Sequence, residues 1–170
     1  REPVYNWFSD LDPTTLVGRA ANYLAEHAII GGFSDGTYRK DQLVNRAEMA
    51  KFITNADSDC PVKDSYTHNR FFDLIATEWY FKYVMAAFEC GVIYGNDDGS
   101  YAPARPVNTV ELLAMLTRSP GLNLPTGLPH SYTDVSPGIW YDQYAGIAQK
   151  YNLFPERTHA LLPSKPLTRG

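Results

Sequence analysis

The sequence predicts a mainly α-helical protein, in which three helix–loop–helix repeats form a pseudo-three-fold spindle around a central helical bundle. Three observations lead to this fold class: an internal repeat of about 60 residues, apolar residues three or four positions apart within each repeat, and a recurring helix-start signal. A single pair of short helices cannot bury its apolar face alone, so the three copies are expected to share one core.

The internal repeat runs through the whole chain. A shift of 63 residues brings Asp10-Leu11 onto Asp73-Leu74 and the glycine-rich segment 30–38 onto 93–101. A further shift of 60 to 61 residues brings Asp73-Leu74 onto Asp134-Val135. The predicted division is repeat one (residues 1–56), a linker (57–71), repeat two (72–118), a second linker (119–131) and repeat three (132–170), which is the most divergent copy.

The first helix of each repeat is predicted from its apolar spacing. An aromatic-x-Asp-aliphatic segment precedes it, and a Gly-rich turn follows, in which Asp and Gly accommodate left-handed backbone. The apolar positions are Leu16, Ala20, Leu24 and Ala28 in repeat one; Phe81, Val84, Met85 and Phe88 in repeat two; and Tyr141, Tyr144, Ala145 and Ala148 in repeat three. Each set favours a helix with one buried face.

The second helix is predicted from its start. Asn45 is followed three residues later by Glu48, and Asn108 by Glu111, each just before an apolar run. This spacing is typical of a capping box, in which the Asn and Glu side chains satisfy free N–H groups at the helix start. The segment 168–170 has the same start pattern, so a second helix of repeat three is expected beyond Gly170.

Composition and motifs argue against several classes of function. The net charge of −4 offers no cluster of cations for a nucleic-acid backbone. The longest apolar stretch, residues 83–95, contains Glu89 and is too short to cross a bilayer, so no membrane insertion is expected. There is no phosphate loop, no dinucleotide fingerprint and no metal-ligand spacing of the four histidines, so the sequence predicts neither a cofactor nor a metal.

The two cysteines, Cys60 and Cys90, leave a disulfide open. Their spacing matches no redox or zinc motif, and it neither requires nor excludes a bridge. Cα atoms more than about 7 Å apart would exclude one without backbone movement.

These repeats resemble the S-layer homology repeat. The shared pattern is an aromatic-x-Asp-aliphatic segment, a Trp at the start of the first helix, a Gly-x-x-Asp-Gly-Thr-Tyr turn and an Asn/Thr-Arg-Ala-Glu start of the second helix. The residues that carry it are Phe8–Asp10, Gly32–Tyr38 and Asn45–Glu48 in repeat one; Phe72, Asp73, Trp79, Gly95–Tyr101 and Glu111 in repeat two; and Tyr132–Val135, Trp140 and Leu167–Arg169 in repeat three. The resemblance covers nearly the whole chain, in the right order.

The resemblance implies an exported bacterial protein, located outside the cell at the cell wall or in the surface layer. Such modules form three-pronged spindles and attach proteins to the envelope by binding secondary cell-wall polysaccharide, which is often pyruvylated. Grooves between neighbouring repeats hold the sugar, and the Arg of the Thr-Arg-Ala-Glu motif meets its acidic group. Other members contact peptidoglycan or further envelope partners.

Carried over to this chain, the resemblance implies eight ligand-binding residues: Arg46, Arg169, Trp79, Trp140, Gly32, Asp35, Gly95 and Asp98. Arg46 occupies the first helical position, where a cation opposes the helix dipole. It therefore needs a bound anion or a carboxylate partner such as Asp10 or Asp73, and the two are not exclusive. Each Trp can stack on a sugar ring or cap a hydrophobic cluster.

The sequence departs from the family pattern once in each repeat. Repeat one has Leu16 where the helix-start Trp belongs, and repeat two has Thr109 where the Arg belongs. Repeat three has Phe154–Arg157 in place of the Asp-Gly turn. Three equivalent sugar sites are therefore not expected, and at most one or two are.

The repeated acidic residues favour architecture over catalysis. Paired carboxylates can form a glycosidase site, but the capping positions of Glu48 and Glu111 already explain these two residues. Asp10, Asp73 and Asp134 recur in all three copies, whereas a catalytic residue is usually unique. No enzymatic activity is expected.

Two functions stay open. In the first, the chain is a non-catalytic anchor that binds anionic cell-wall polysaccharide or peptidoglycan through the inter-repeat grooves. In the second, it is a structural assembly unit that contacts other surface-layer subunits through exposed aromatic residues such as Tyr5, Trp7, Tyr66 or Tyr132.

Overall fold

The computed structural model describes residues 5–170, and this part of the chain is mainly helical and contains no β-sheet. The five α-helices are α1 (Leu16–Glu26), α2 (Arg46–Ala56), α3 (Phe81–Glu89), α4 (Thr109–Arg118) and α5 (Asp142–Lys150), and a 3-10 turn spans Pro120–Leu122. Repeats one and two each contribute a helix pair, and repeat three contributes α5. The predicted mainly α fold class is confirmed. None of the helices in residues 5–170 is long and apolar enough to span a membrane.

Both predicted capping boxes are present. The Glu48 N–H donates to Asn45 Oδ1 over 2.8 Å, and the Asn45 N–H donates back to Glu48 Oε2 over 2.9 Å. Asn108 and Glu111 make the same pair of hydrogen bonds, each 3.0 Å long. Two otherwise unsatisfied N–H groups are thus bonded at the start of α2 and of α4.

The buried face of α1 differs from the predicted one. The helix buries Gly18, Ala21 and Ala25, while Leu16 is 64% exposed. Small residues on this face allow α1 to lie close to a cluster of buried aromatic and aliphatic side chains from the same repeat. That cluster contains Phe8, Leu11, Ile30 and Tyr38. Of the predicted apolar positions, Leu24 is half-buried and packs on this cluster. Leu16, Ala20 and Ala28 are exposed, so the prediction was wrong for these three residues, because apolar spacing does not register close approach through glycine and alanine.

Each second helix packs against the first helix of the following repeat. Thus α2 packs on α3, and α4 packs on α5. The largest buried cluster draws side chains from all three repeats, for example Ile53, Val84 and Leu167. The three copies therefore share a core, as their short amphipathic helices require.

A closed ring of backbone hydrogen bonds joins the three repeats just before their second-helix starts. The Val44 N–H donates to Leu167 O (2.9 Å), the Leu167 N–H to Val107 O (3.0 Å) and the Val107 N–H to Val44 O (2.9 Å). These residues occupy corresponding positions in the three repeats, and all three are buried. Every repeat thus donates one of these bonds to one neighbour and accepts one from the other.

The three recurring aspartates hold the same turn in each repeat. Each carboxylate accepts two adjacent backbone N–H groups at 2.7–2.8 Å, and the second residue of each pair has a positive φ of 57–59°. The pairs are Tyr38 and Arg39 for Asp10, Tyr101 and Ala102 for Asp73, and Leu161 and Leu162 for Asp134. Left-handed backbone is unfavourable for residues with a side chain, so these bonds stabilise a strained turn. The predicted framework role is confirmed.

The linkers are tied to the helices. A disulfide joins Cys60 to Cys90 across a Cα–Cα distance of 5.7 Å and fastens the first linker to the end of α3. The buried Asp57 accepts the Gly121 N–H over 3.1 Å and the Ser119 hydroxyl, which connects the two linkers. The disulfide that the sequence left open is therefore formed.

Candidate ligand-binding grooves

Two grooves with corresponding linings lie between the repeats. Each combines a loop and a second helix from one repeat, a Trp from the next and an Arg from the remaining one. The Arg169 groove encloses about 250 Å³ and is lined by Gly31, Gly32, Phe33, Glu48, Lys51, Phe52, Trp79 and Arg169. The Arg46 groove encloses about 550 Å³ and is lined by residues 92–97, Arg46, Glu111, Ala114, Met115, Arg118 and Trp140. The structure thus pairs Trp79 with Arg169, and Trp140 with Arg46.

The Arg46 side chain is buried against repeat two. Its Nε donates to Tyr101 O over 2.8 Å, its Nη1 lies 2.7 Å from Glu111 Oε1, and the guanidinium packs 4.6 Å from the Tyr101 ring centroid. The expected carboxylate partner is present, and it is Glu111. The suggested partners, Asp10 and Asp73, were wrong, because both carboxylates are occupied by backbone N–H groups of their own repeats.

Arg169 makes the corresponding contacts to repeat one. Its Nε donates to Tyr38 O and its Nη2 to Gly31 O, each over 2.8 Å, while Nη1 lies 3.8 Å from Glu48 Oε1. The guanidinium also lies between aromatic rings, and the Tyr38 hydroxyl donates to Arg169 O over 2.6 Å. Burial raises the pKa of Tyr38, so its hydroxyl remains a donor.

Glu111 and Glu48 differ in their electrostatic surroundings. Glu111 pairs with Arg46 and with Arg105, so two guanidinium groups share one carboxylate. Glu48 has only Arg169 within 4 Å among the described cations. Gln42 stands at the position in repeat one that corresponds to Arg105. The acidic wall of the Arg46 groove is therefore more completely neutralised than that of the Arg169 groove.

The two tryptophans present about half of their surface to solvent. Trp79 is 49% exposed and Trp140 is 54% exposed. Each packs against the edge of the tyrosine that follows it, Tyr80 at 5.6 Å and Tyr141 at 5.3 Å between ring centroids. Both indoles therefore line the grooves, with surface left free for an apolar contact.

The remaining predicted ligand residues shape the loops. A methyl group at Gly32 would lie 2.7 Å from Phe8 Cε1, and one at Gly95 would lie 2.3 Å from Phe71 Cε1, so packing requires glycine at both positions. Asp35 and Asp98 lie outside the linings of both grooves. Bonds from Thr37 and Arg39 lower the pKa of Asp35 to about 2, and a bond from Ser100 lowers the pKa of Asp98. Both carboxylates are used within their own turns.

The junction between repeats two and three contains an arginine that the sequence analysis missed. Thr109 of repeat two occupies the position of the absent motif Arg, and Arg157 of repeat three contacts it. Arg157 Nη1 donates to Thr109 Oγ1 over 2.7 Å and to Leu161 O over 2.9 Å. Leu161 corresponds to Tyr38 and Tyr101, whose carbonyls accept bonds from Arg169 and Arg46. The signal available in the sequence was an Arg at the place where the Asp-Gly turn is lost.

Only some of the aromatics suggested for subunit contacts are exposed. Tyr5 is 71% and Trp7 is 48% exposed. Tyr66 is half-buried and packs on Phe81, and Tyr132 is buried at 6% exposure, in the cluster that covers α5. The suggestion of Tyr132 as an exposed contact residue was wrong, because its side chain faces the core of repeat three.

Comparison with known families gives the class of these repeats. The model of the S-layer homology domain matches residues 8–50 and 70–108. Repeats one and two are therefore S-layer homology domains, and the resemblance drawn from the sequence is confirmed.

Three relatives of the chain have names that refer to anchoring, the cell surface or the cell wall. It is 28% identical over 153 residues to a cellulosome-anchoring protein of Acetivibrio thermocellus, covering 84% of this chain and 32% of that protein. It is 26% identical over 140 residues to cell surface glycoprotein 1 of the same organism, covering 78% of this chain and 6% of that protein. It is 24% identical over 143 residues to the middle cell wall protein of Brevibacillus brevis, covering 84% of this chain and 12% of that protein. The chain thus spans a third or less of each relative, and the expected extracellular, cell-wall location is confirmed.

Proposed function

We propose that this chain is a non-catalytic module that anchors a protein to the bacterial cell envelope by binding an anionic secondary cell-wall polysaccharide. The observation that carries the proposal is the pair of corresponding grooves, each with a half-exposed Trp and cationic side chains. An indole face binds the apolar side of a sugar ring, and cations bind an acidic substituent. The name of the cellulosome-anchoring relative supports the same role.

We further propose that the three repeats form a pseudo-three-fold spindle whose axis passes through the ring of Val44, Val107 and Leu167. The cyclic pattern of the three hydrogen bonds and the matching aspartate turns support this arrangement. Such symmetry places the Arg169 and Arg46 grooves in equivalent positions around the axis. A polysaccharide with repeating acidic sugars can then occupy both, and the second contact benefits from the effective concentration that the first provides.

A second candidate function is a structural unit that contacts other surface-layer subunits. The observation that favours it is a separate cleft of about 490 Å³ on the outer side of α1. Three exposed aromatic side chains, Tyr5, Trp7 and Tyr23, contribute to its lining. Clustered exposed aromatics are typical of protein interfaces.

Co-sedimentation with purified cell walls separates these functions. Walls would be used before and after acid removal of the secondary polysaccharide, with the wild type, the Trp79→Ala/Trp140→Ala double variant and Trp7→Ala as the matched control. The proposal predicts that stripping the walls or changing both groove tryptophans abolishes sedimentation, while Trp7→Ala has no effect.

Other outcomes point elsewhere. Equal sedimentation with stripped walls would identify peptidoglycan as the ligand. A folded wild type that sediments with neither preparation would contradict anchoring and favour the structural unit. In that case Trp7→Ala should weaken self-association in analytical ultracentrifugation.

A further inference from the structure

The two groove tryptophans lie on corresponding turns that are held in different ways. We propose that His130 and Asp142 are positioning residues, which fix the turn of residues 136–142 and thereby hold Trp140 in the Arg46 groove. The consequence for ligand binding rests on the proposed anchoring function, whereas the position of the indole can be measured without a ligand.

The backbone of the two turns is bonded in the same way. In repeat three the Ile139 N–H donates to Ser136 O over 3.2 Å, and the Asp142 N–H donates to Ile139 O over 2.9 Å. The corresponding bonds in repeat two, from the N–H groups of Glu78 and Phe81, measure 3.0 and 3.1 Å. Backbone bonds alone therefore do not distinguish the two turns.

The Asp142 carboxylate adds a clamp around Trp140 that repeat two lacks. Asp142 is the first residue of α5; its Oδ2 accepts the Gly138 N–H, and its Oδ1 lies from His130 Nε2, at 2.9 Å each. The Gly138 bond and then the His130 bond lower the pKa of Asp142, so at neutral pH the carboxylate is ionised and only accepts. His130 Nε2 therefore donates. Phe81 occupies the corresponding position in repeat two and offers no acceptor there.

His130 connects this clamp to the second linker. Its side chain is 11% exposed, and its Nδ1 is buried without a hydrogen-bond partner within residues 5–170. Asp142 is thus the single polar partner of the ring in that range. The corresponding residues of repeats one and two are Asn6 and Asn69, and each donates to the carbonyl five residues later, over 3.0 and 2.9 Å. Histidine in repeat three therefore exchanges that local bond for a bond to the turn that carries the tryptophan.

Trp79 is held by neighbouring side chains instead. The Lys51 ammonium lies 5.6 Å from the centroid of its ring, and the Tyr83 ring centroid lies 6.4 Å away. Ala114 stands at the position in α4 that corresponds to Lys51, so this position gives Trp140 no cation to pack on. Trp140 therefore depends more than Trp79 does on the bonds that fix its backbone.

The fluorescence of Trp140 tests the inference without a ligand. The chain has three tryptophans, so the full chain carrying Trp7→Phe and Trp79→Phe reports on Trp140 alone. His130→Ala and Asp142→Ala should each lower the fluorescence anisotropy of Trp140 and shift its emission, because the turn loses its clamp. His130→Gln keeps an N–H donor near the place of Nε2 and should restore the values of the parent chain.

Asn69→Ala is the matched control. It removes the bond that the corresponding residue makes in repeat two, so it should lower the melting temperature without changing the anisotropy of Trp140. In a chain that keeps Trp79 as its single tryptophan, His130→Ala should have no effect on the fluorescence. Thermal unfolding establishes that each variant is folded at the temperature of the measurement.

Binding measures the consequence for the Arg46 groove. The probe is an acidic fragment of the wall polysaccharide, titrated by calorimetry into the Trp79→Ala chain, in which only the Arg46 groove keeps its indole. His130→Ala should weaken this binding about two- to tenfold, since losing one net hydrogen bond lowers the population of the competent turn. In the Trp140→Ala chain the same change should leave the affinity unaltered.

Two results would overturn the inference. One is unchanged anisotropy and emission of Trp140 in folded His130→Ala and Asp142→Ala, whatever the outcome with the ligand. The other is an equal loss of affinity on His130→Ala in the Trp79→Ala and Trp140→Ala chains, which would show a general effect on the fold. Failure of the wild type to bind any wall fragment would instead remove the anchoring function, and the fluorescence would still decide whether His130 positions Trp140.

Discussion

The three inter-repeat junctions solve one packing problem in two ways. At two of them a motif arginine reaches a backbone carbonyl of the neighbouring repeat. Arg46, at the start of α2, donates to Tyr101 O, and Arg169, at the corresponding position of repeat three, donates to Tyr38 O. At the third, Arg157 donates to the matching carbonyl of Leu161 within its own repeat, and the same guanidinium donates across the junction to the Thr109 hydroxyl. Each of these carbonyls therefore accepts a bond from an arginine, which lies either at the motif position of a neighbouring repeat or in the loop of the same repeat.

The comparison also separates architecture from ligand binding. All three junctions keep a buried arginine, but only two have a neighbouring exposed Trp. The third has Leu16 at the Trp position, and Leu16 lines a cavity with Phe154 and Arg157 that is mainly apolar. A buried arginine is thus a feature of the scaffold, and the exposed Trp distinguishes the two candidate sites.

The largest effect is expected from breaking the Arg46 junction. Arg46→Ala leaves the buried Tyr101 carbonyl without its donor and Glu111 with Arg105 alone. Loss of one partner of a buried pair costs about 3–5 kcal/mol, and we expect the lower end because Arg105 remains. Urea unfolding measures the change. A loss under about 1 kcal/mol would contradict the buried ion pair.

A smaller effect is expected at the relocated arginine. Arg157→Ala should cost about 1–3 kcal/mol in the free energy of unfolding, because Thr109 and the Leu161 carbonyl each lose a donor. The double variant Thr109→Arg/Arg157→Ala moves the cation back to the helix start. It should recover a large part of the loss in the same urea experiment. Equal instability of the single and double variants would show that the two origins are not interchangeable.

The turn that Asp10 holds gives repeat one a pH dependence. Backbone N–H groups, chiefly that of Tyr38, lower the pKa of Asp10. A depressed pKa contributes stability that is present above the unfolded-state value of about 3.9 and is lost as the pH falls through the folded-state value. The melting temperature of Asp10→Asn should therefore approach that of the wild type as the pH is lowered from 7 to 3. Parallel curves would show that the carboxylate charge at Asp10 is irrelevant.

The smallest effect is expected at Arg105. Its side chain is 42% exposed, and exposed ion pairs contribute about 0.2–1 kcal/mol. Arg105→Gln reproduces the residue that repeat one has at this position, Gln42. The free energy of unfolding of the variant in urea should fall by less than about 1 kcal/mol. Glu111 would then pair with one arginine only, as Glu48 does in the other groove. A loss comparable to that of Arg46→Ala would mean that Arg105, and not Arg46, neutralises Glu111.

Sequence reasoning succeeded where structure is set locally or by repetition. The capping boxes at Asn45 and Asn108 and the aspartate turns could be predicted, because each uses a short, recurring spacing. The partner of Arg46 could not, because Glu111 lies 65 positions away and meets it only through the inter-repeat junction.

Two further misses have similar causes. The role of Arg157 was missed because alignment of the repeats compares corresponding positions only. Arg157 does not occupy the position of the motif Arg, and it contacts Thr109 of repeat two from repeat three. The buried face of α1 depends on close approach through Gly18 and Ala21, which hydrophobic spacing does not register.

The number of ligand sites per chain tests the central claim most directly. A purified acidic fragment of the wall polysaccharide would be titrated into the chain by calorimetry, alongside Trp79→Ala and Trp140→Ala. Two sites per chain are predicted, with each variant losing one. Three sites in the wild type, or two sites that persist in the Trp79→Ala/Trp140→Ala double variant, would contradict the assignment of ligand binding to the Arg169 and Arg46 grooves.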